Sequence, residues 1–426
     1  MNYPLYLARR LALGSEGRKA SPAIRVAITA VALSVAVMLG AVSIVLGFKR
    51  EIQSKVLGFN PHLTVYAISS EEATQNLVNL SPTLRNILDE QEYITDYTLE
   101  ASIPAIMKTP TEFKGVYMKS LGSETSIRFL SDALEEGELP AFLNKGRATK
   151  EKSESSSDPD LDILISRSAA SQLGLKAGDR IDTYFMTGDI RVRRLRVAGV
   201  FNTHFNTYDD IYIYGSLPLI QKLGNVDSDE GTSILINTDD FSRVGEYSNR
   251  LQTALAKATA EGLIYRYYSV DNAMSQGAPY FQWLSLLDTN VVVILTLMIL
   301  VSVATLISGM LIIILDKKRF IALLRAMGAP VGATREVFVY LAMRVATIGI
   351  LIGNPLMIAF LMAQNKWHFL PLDPEAYYID FVPVELSWGW FALLNVGVLL
   401  AIWASLILPS RFVAKISPAV QLSIDN

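Results

Sequence analysis

Four stretches of this chain run for about 20 residues or more without a charged side chain. They are Val26–Phe48, Thr289–Leu315, Val345–Asn365 and Leu386–Leu408. A bilayer core about 30 Å thick needs ~20 apolar residues of helix, so each stretch predicts a transmembrane helix. The third carries Gly349, Gly353 and Pro355, which suit close helix packing or a kink. The first run is longer than the ~7–15 apolar residues of a signal peptide. LGFKRE at its end offers no small-residue cleavage site, so it reads as an anchor.

Between the first and second runs lies a block of about 235 residues with a different pattern. HLTVYAI alternates as a strand does. Ser81-Pro82 followed by TLRNILDE predicts a capped helix with Pro at its first position. YTLEASIPAIMK and FKGVYMKS predict a strand pair turning near Pro110. Lys145–Asp160 is polar and charged, cannot offset its ordering entropy by burial, and reads as a mobile loop. After it, LDILIS predicts a strand, and Ser166 caps a helix that ends at Gly174. A hairpin over Arg180–Phe201 turns at Thr187-Gly188-Asp189, and DDIYIYG is a further strand. TSILINT, an amphipathic helix at Phe241–Ala260 and LIYRYYSV follow in β-α-β order. The block is therefore mixed α/β and large enough for two small domains.

Charge sets the orientation. Arg9, Arg10, Arg18, Lys19 and Arg25 precede the first run. Lys317, Lys318, Arg319, Arg325 and Arg335 lie between the second and third, and Arg411 and Lys415 follow the fourth. The last outer loop has Lys366 against Asp373, Glu375, Asp380 and Glu385. By the positive-inside rule both termini face the cytoplasm and the large block lies outside. Hydrophobic residues make up 51% of the chain and mean hydropathy is +0.31, which suits apolar spans joined to a water-soluble block.

Candidate chemistry is sparse. The chain has no cysteine, which excludes thiolate metal sites and cysteine nucleophiles. His62, His204 and His368 lack metal-ligand spacing, so no metal site is expected. There is no GxxxxGK[ST] phosphate loop, so the chain should not itself hydrolyse ATP, and no catalytic set or cofactor is expected. A net charge of −3 and the out-of-phase Arg191, Arg193, Arg194 and Arg196 argue for a solvated strand face and against nucleic acid. Phe320, Leu323, Leu324 and Met327 recur with helical spacing beside Lys317, Lys318, Arg319 and Arg325. That is a basic amphipathic helix at the membrane surface, held either by anionic headgroups or by a partner. Arg344, near the start of the third span, either snorkels or is paired. YPLYLARRLAL reads as an interfacial elbow helix.

Several segments resemble one family. DKKRFIALLRAMGAPVGATREVFVY resembles the cytoplasmic segment of FtsX/MacB-type ABC permeases. EAYYIDFVPVELSW resembles the last outer loop of the lipoprotein-releasing (Lol) branch, as do LGFKREIQSKVLGFNPHLTVY and LRVAGVFNTHFNTYDDIYIYGSLPLIQKL elsewhere. The resemblance implies a bacterial inner-membrane protein with four transmembrane α-helices and a large α/β periplasmic domain between helices 1 and 2. It implies an elbow at 1–23, helix 1 at 24–48 and a periplasmic domain at 49–287. Helix 2 then spans 288–315, a coupling segment 316–335, helix 3 336–365, a periplasmic loop 366–385, helix 4 386–409 and a cytoplasmic tail 410–426. The periplasmic domain would comprise a porter part (61–121 and 232–270) and a Sabre-like part (122–231).

The same resemblance implies partners: separate ABC ATPase subunits, a second permease, a lipoprotein substrate, a periplasmic carrier and membrane lipids. It assigns ATPase coupling to Lys317, Arg319, Phe320, Leu323, Leu324, Arg325, Met327 and Gly328. An acyl-chain cavity would draw on Val42, Val45, Leu46, Phe48, Val291, Val292 and Leu295. The long hairpin by which one Lol permease captures the carrier is short here, at Phe185–Arg191. The chain is then the partner without the hook, or the carrier docks elsewhere, or the cargo differs. A MacB-like efflux permease and an FtsX-like regulator of a cell-wall hydrolase are the alternatives.

Overall fold

The computed structural model describes residues 22–68, 76–143, 161–187 and 189–406. The elbow segment, the Lys145–Asp160 loop and the C-terminal tail lie outside the described residues. In chain order the principal helices are α1 (Pro22–Phe59), α2 (Pro82–Asp89), α3 (Glu124–Asp132), α4 (Arg167–Leu173) and α5 (Leu217–Gly224). They continue with α6 (Val244–Ala260), α7 (Ala278–Asp316), α8 (Lys318–Ala326), α9 (Val331–Trp367) and α10 (Trp388–Ser405). The main strands are β1 (Leu63–Ile68), β2 (Ile94–Glu100), β3 (Ser102–Lys108), β4 (Phe113–Ser120), β5 (Leu134–Gly137) and β6 (Asp162–Ser166). After them come β7 (Arg180–Thr187), β8 (Asp189–Phe201), β9 (Tyr212–Gly215), β10 (Ser233–Thr238) and β11 (Tyr267–Asn272). The chain forms two compact units. One comprises Met1–Lys49, Trp283–Pro371 and Phe381–Asn426; the other comprises Arg50–Gln282 and Leu372–Asp380.

Among the described residues α1, α7, α9 and α10 are long and apolar enough to cross a membrane. Three of them outrun the apolar stretches that predict them. Helix α1 continues to Phe59, α7 begins at Ala278 and α9 begins at Val331. Lys49, Arg50 and Glu51 end the apolar run but are good helix formers, so charge stops the span without stopping the helix.

In the first unit one core gathers Val31, Val35 and Met38 of α1, Leu306 and Met310 of α7, Leu341 and Val345 of α9, and Val398 and Ile402 of α10. The seam between α1 and α9 is built on Gly349 and Gly353. A Cβ at Gly349 would meet Val31 at 2.8 Å, and one at Gly353 would overlap the Ala32 carbonyl. Small residues four apart let two backbones approach, which lipid-embedded helices exploit because packing replaces hydrophobic drive there. Asn354, beside this seam, donates to Asn395 of α10 at 2.8 Å. The loop between α9 and α10 closes onto α1. The Glu385 amide donates to the Ser43 carbonyl at 2.9 Å, and a Cβ at Gly47 would stand 2.6 Å from the Pro383 carbonyl. Gln364, fully buried, accepts from the Leu370 amide (3.0 Å) and donates to the Val382 carbonyl (3.1 Å), clasping both arms of the loop.

The second unit holds two large sheets and a two-stranded pairing of Val78–Asn79 with Glu230–Gly231. The first is antiparallel, ordered β11-β1-β10-β2, with Leu63, Val65, Ile234 and Ile236 packed under Leu84 and Leu88 of α2 and Leu251 and Leu255 of α6. Ser81 caps α2, its Oγ accepting from the Leu84 amide. The other runs β5-β8-β6-β9-β4-β3-β7, and β7 also pairs with β8, so six strands close into a barrel. Met107, Met118, Ile163, Phe185 and Leu195 fill it, with Ala169 and Leu173 of α4 and Ile220 of α5 against them. Closure removes the exposed edges of an open sheet.

The division at 121/122 does not match this partition. Strands β3 and β4, expected in the porter part, belong to the barrel, and the run YTLEASIPAIMK is cut at Ala101 between the two sheets. Its alternation continues through the cut, so only the long-range pairings of β3 with β7 and β4 with β9 reveal the switch.

The seam predicts an asymmetry between glycines. Gly353→Val should destabilise the detergent-solubilised protein by about 1–3 kcal/mol through overpacking. Gly397→Val, where an added Cβ meets nothing within 4 Å, should leave the thermal midpoint nearly unchanged. Equal midpoints for the two variants would contradict the close approach.

Candidate functional site

The basic amphipathic segment forms α8, but its apolar residues divide between two faces. Ile321, Ala322 and Leu324 are buried, Ile321 within the core shared by α1, α7, α9 and α10. Leu323 and Met327 are 50% and 76% exposed, and Phe320 is half-buried. The expected stripe of Phe320, Leu323, Leu324 and Met327 is thus corrected: Leu324 is an anchor, and the outward apolar surface is Leu323 and Met327 with Phe320 beside them. Spacing alone could not separate them, because Leu324 shares a helical stripe with Ile321 as well as with Phe320. Lys317 lies 3.1 Å from Asp316, and Arg319 is exposed. Gly328, at φ +92°, ends the helix, with the Ala329 amide on the Leu324 carbonyl at 3.1 Å.

The residues expected to wall an acyl cavity are unequally placed. Val42, Phe48 and Val291 are buried within the chain, Phe48 edge-on to Trp283 at 6.2 Å. Val45, Leu46 and Leu295 are half-buried, and Val292 is 61% exposed. The open apolar surface on α7 continues through Val293, Leu297 and Leu300. A second exposed set that the sequence reading passed over flanks the β7–β8 turn: Met186 and Ile190 stand opposite each other and both are exposed. The two strands pair up to Thr187 and Asp189, so this hairpin is tight.

The bases of β8 are engaged within the barrel. Arg196 makes a two-pronged contact with Asp162 (2.7 and 2.5 Å), Arg194 is 3.7 Å from Asp182, and Arg191 donates to the Lys222 and Leu223 carbonyls. A different charged pair marks the joint of the two sheets. Glu100, at the end of β2, and Lys119, near the end of β4, approach to 2.9 Å. The contact is an ion pair without hydrogen-bond alignment at Glu100 Oε1; Oε2 accepts from Ser233 of β10 at 2.8 Å. Lys119 also lies 5.4 Å from the centre of the Tyr212 ring. The pair borders a cavity of 340 Å³ that Asn60, Thr64, Tyr208 and Tyr212 also line. Burial alone would lower the Lys119 pKa, but the Glu100 carboxylate outweighs it and the pKa is raised. These residues are 19 apart in sequence, and only the pairing of β3 with β4 and the sheet switch at Ala101 join them.

The MacB-like periplasmic core domain matches residues 26–254, more than half of the chain. The FtsX-like permease C-terminal region matches residues 292–418. The chain belongs to the family of permeases assembled from these two parts, and it is a non-catalytic membrane permease of the Lol/MacB/FtsX class of ABC transporters. Among its relatives, the lipoprotein-releasing system transmembrane protein LolE of Haemophilus influenzae is 23% identical, covering 99% of this chain and 100% of its own length. The corresponding LolC of Neisseria meningitidis serogroup B is 21% identical, covering 94% of each chain. The periplasmic region of MacB from Actinobacillus actinomycetemcomitans aligns with 53% of this chain and 94% of its own at 15% identity, with a TM-score of 0.34.

The joint carries its own prediction. Lys119→Met leaves Glu100 buried without its cation and should cost about 3–5 kcal/mol. Lys119→Met combined with Glu100→Leu should recover most of that loss. In the native protein the raised Lys119 pKa makes its contribution complete below about pH 10 and lost as pH rises through the folded value. Thermal unfolding of the full chain followed by circular dichroism measures all three; no recovery in the double variant contradicts the coupling.

Proposed function

We propose that this permease couples ATP hydrolysis in separate ATPase subunits to the release of lipoproteins from the bacterial inner membrane. The observation that carries the coupling is α8: its inner face is anchored by Ile321 and Leu324, while Leu323 and Met327 stand exposed beside Arg319. A short helix fixed on one side and apolar on the other suits a groove in a rigid partner better than a headgroup layer, where the whole stripe would face outward. Similarity to LolE and LolC along nearly the whole chain supports the cargo. ATP would be bound by the partner, and this chain needs no cofactor of its own. Both termini and α8 lie in the cytoplasm, and the two-sheet block lies in the periplasm, as the Lys/Arg asymmetry directs. The permease works as a pair with a second copy or a homologue. The short β7–β8 connection supports the reading of this chain as the partner that lacks the carrier hook.

Movement is mechanical. Helices α1 and α7 run unbroken for 38 and 39 residues, so displacement at one end of either is carried to the other. Acyl chains enter from the outer leaflet against Val292, Leu295, Val45 and Leu46. Each buried CH₂ contributes ~0.8 kcal/mol, so even part of three chains binds strongly, and emptying the cavity requires the ATPase cycle.

Two measurements test this reading. Leu323→Asp and Met327→Asp should each reduce co-purification of the cognate ATPase at least tenfold while membrane insertion stays at the wild-type level. Wild-type recovery of the ATPase with both variants removes the coupling surface. Photo-crosslinkers at Val292 and Leu46 should capture lipoprotein in membranes containing the ATPase and lose it on addition of ATP. Crosslinks confined to phospholipid and the second permease, indifferent to ATP, would favour efflux or regulation over lipoprotein release.

A further inference from the structure

Four segments of the second unit converge on one buried side chain, Lys55, near the end of α1. It is 9% exposed, and its ammonium donates to the Thr203 carbonyl at 2.6 Å and to the Tyr378 carbonyl at 2.7 Å. Glu51, Asp209 and Asp380 are its electrostatic neighbours. Left-handed backbone occurs at one acceptor and directly after the other. Tyr378 has φ +61°, and His204, directly after Thr203, has φ +56°. Side chains disfavour this left-handed region, so surrounding contacts must hold it.

Those contacts are present on both sides. Asp209 accepts from the Thr203 amide (3.0 Å) and hydroxyl (2.7 Å), which aims the Thr203 carbonyl. The Phe205 ring packs on Phe59 at 5.9 Å, Tyr208 at 5.2 Å, Tyr280 at 4.6 Å and Tyr378 at 5.2 Å. Leu372–Asp380, the tip of the last outer loop, is folded by the Leu372 amide on the Asp380 carbonyl and the Tyr378 amide on the Pro374 carbonyl. His204 stands 3.3 Å from Asp380, and Ile379 is buried.

We infer that Lys55 is a positioning residue that fastens the tip of the α9–α10 loop to the end of α1, so that α9 and α10 move the outer block together with α1. The inference rests on the mechanical reading above. A lysine suits the place because its apolar stem tolerates burial while its head has donors for two carbonyls from distant segments. Methionine copies the stem and donates nothing. Arginine keeps the charge and several donors.

The test uses the full permease with its ATPase in nanodiscs, comparing wild type, Lys55→Met and Lys55→Arg. Amide exchange across 372–380 reads the attachment itself. Lipoprotein released per ATP hydrolysed reads its consequence, and the thermal midpoint controls for folding. Lys55→Met should raise exchange in 372–380 at least tenfold and cut release per ATP at least tenfold, with ATP hydrolysis still running. Lys55→Arg should restore both to within about threefold of wild type. Unchanged exchange, or unchanged release per ATP, in Lys55→Met overturns the inference. Should Lys55→Met fail to accumulate, Tyr378→Ala removes the ring anchor from the loop side and carries the same expectations. A wild-type complex that hydrolyses ATP yet releases no lipoprotein would refute the cargo and not the attachment. The attachment is then decided by whether the ATP-dependent change in exchange at 372–380 is lost in Lys55→Met.

Discussion

Close backbone approach to α1 is the constraint on which the rest of the molecule depends. Along this helix neighbours come nearer than ordinary side chains permit. Gly349 and Gly353 bring α9 against Val31 and Ala32, and Gly47 lets the Pro383 segment cross. In a bilayer, apolar surface gains little by leaving lipid for protein, so tight packing of small residues and a few hydrogen bonds must hold helices together. The Asn354–Asn395 bond and the Glu385–Ser43 contact are of that second kind. The large apolar residues of α7 are then left mostly on the outside, where lipid can meet them.

The outer block solves a different problem, that of water. Its two cores are conventional, one under a four-stranded sheet and one inside a closed barrel, and each buries its own apolar set. What joins them is polar. Glu100 and Lys119 contribute one charge from each sheet, and Ser233 takes up part of the carboxylate's remaining capacity. A buried pair of this kind adds little net stability over an apolar contact but penalises any arrangement that separates its partners. It therefore specifies how the chain passes from one sheet to the other at Ala101.

Several charged and polar side chains among the described residues hold distant segments together. Lys55 gathers two carbonyls, Gln364 clasps two arms of a loop, and Arg196 fixes a strand through Asp162. Exposed apolar residues gather at Leu323 of α8 with Met327 just after it, and at Val292, Leu297 and Leu300 of α7.

Much of this was legible in the sequence, for a physical reason: periodicity and span length are local properties. The four apolar runs, the Ser81 and Ser166 caps, the turn between β3 and β4 and the pairing of β7 with β8 each follow from neighbouring residues, and the structure contains them. The glycines of the third run pointed to close packing, though not to α1 as the partner. Only tertiary structure decided which sheet β3 and β4 join, because alternation looks the same on either side of Ala101. It also divided the amphipathic face of α8, since Leu324 fits two stripes and only the packing of Ile321 selects one. Lys55 was invisible for the same reason. Its role depends on carbonyls 148 and 323 residues away in the chain, and a carbonyl has no signature in a sequence.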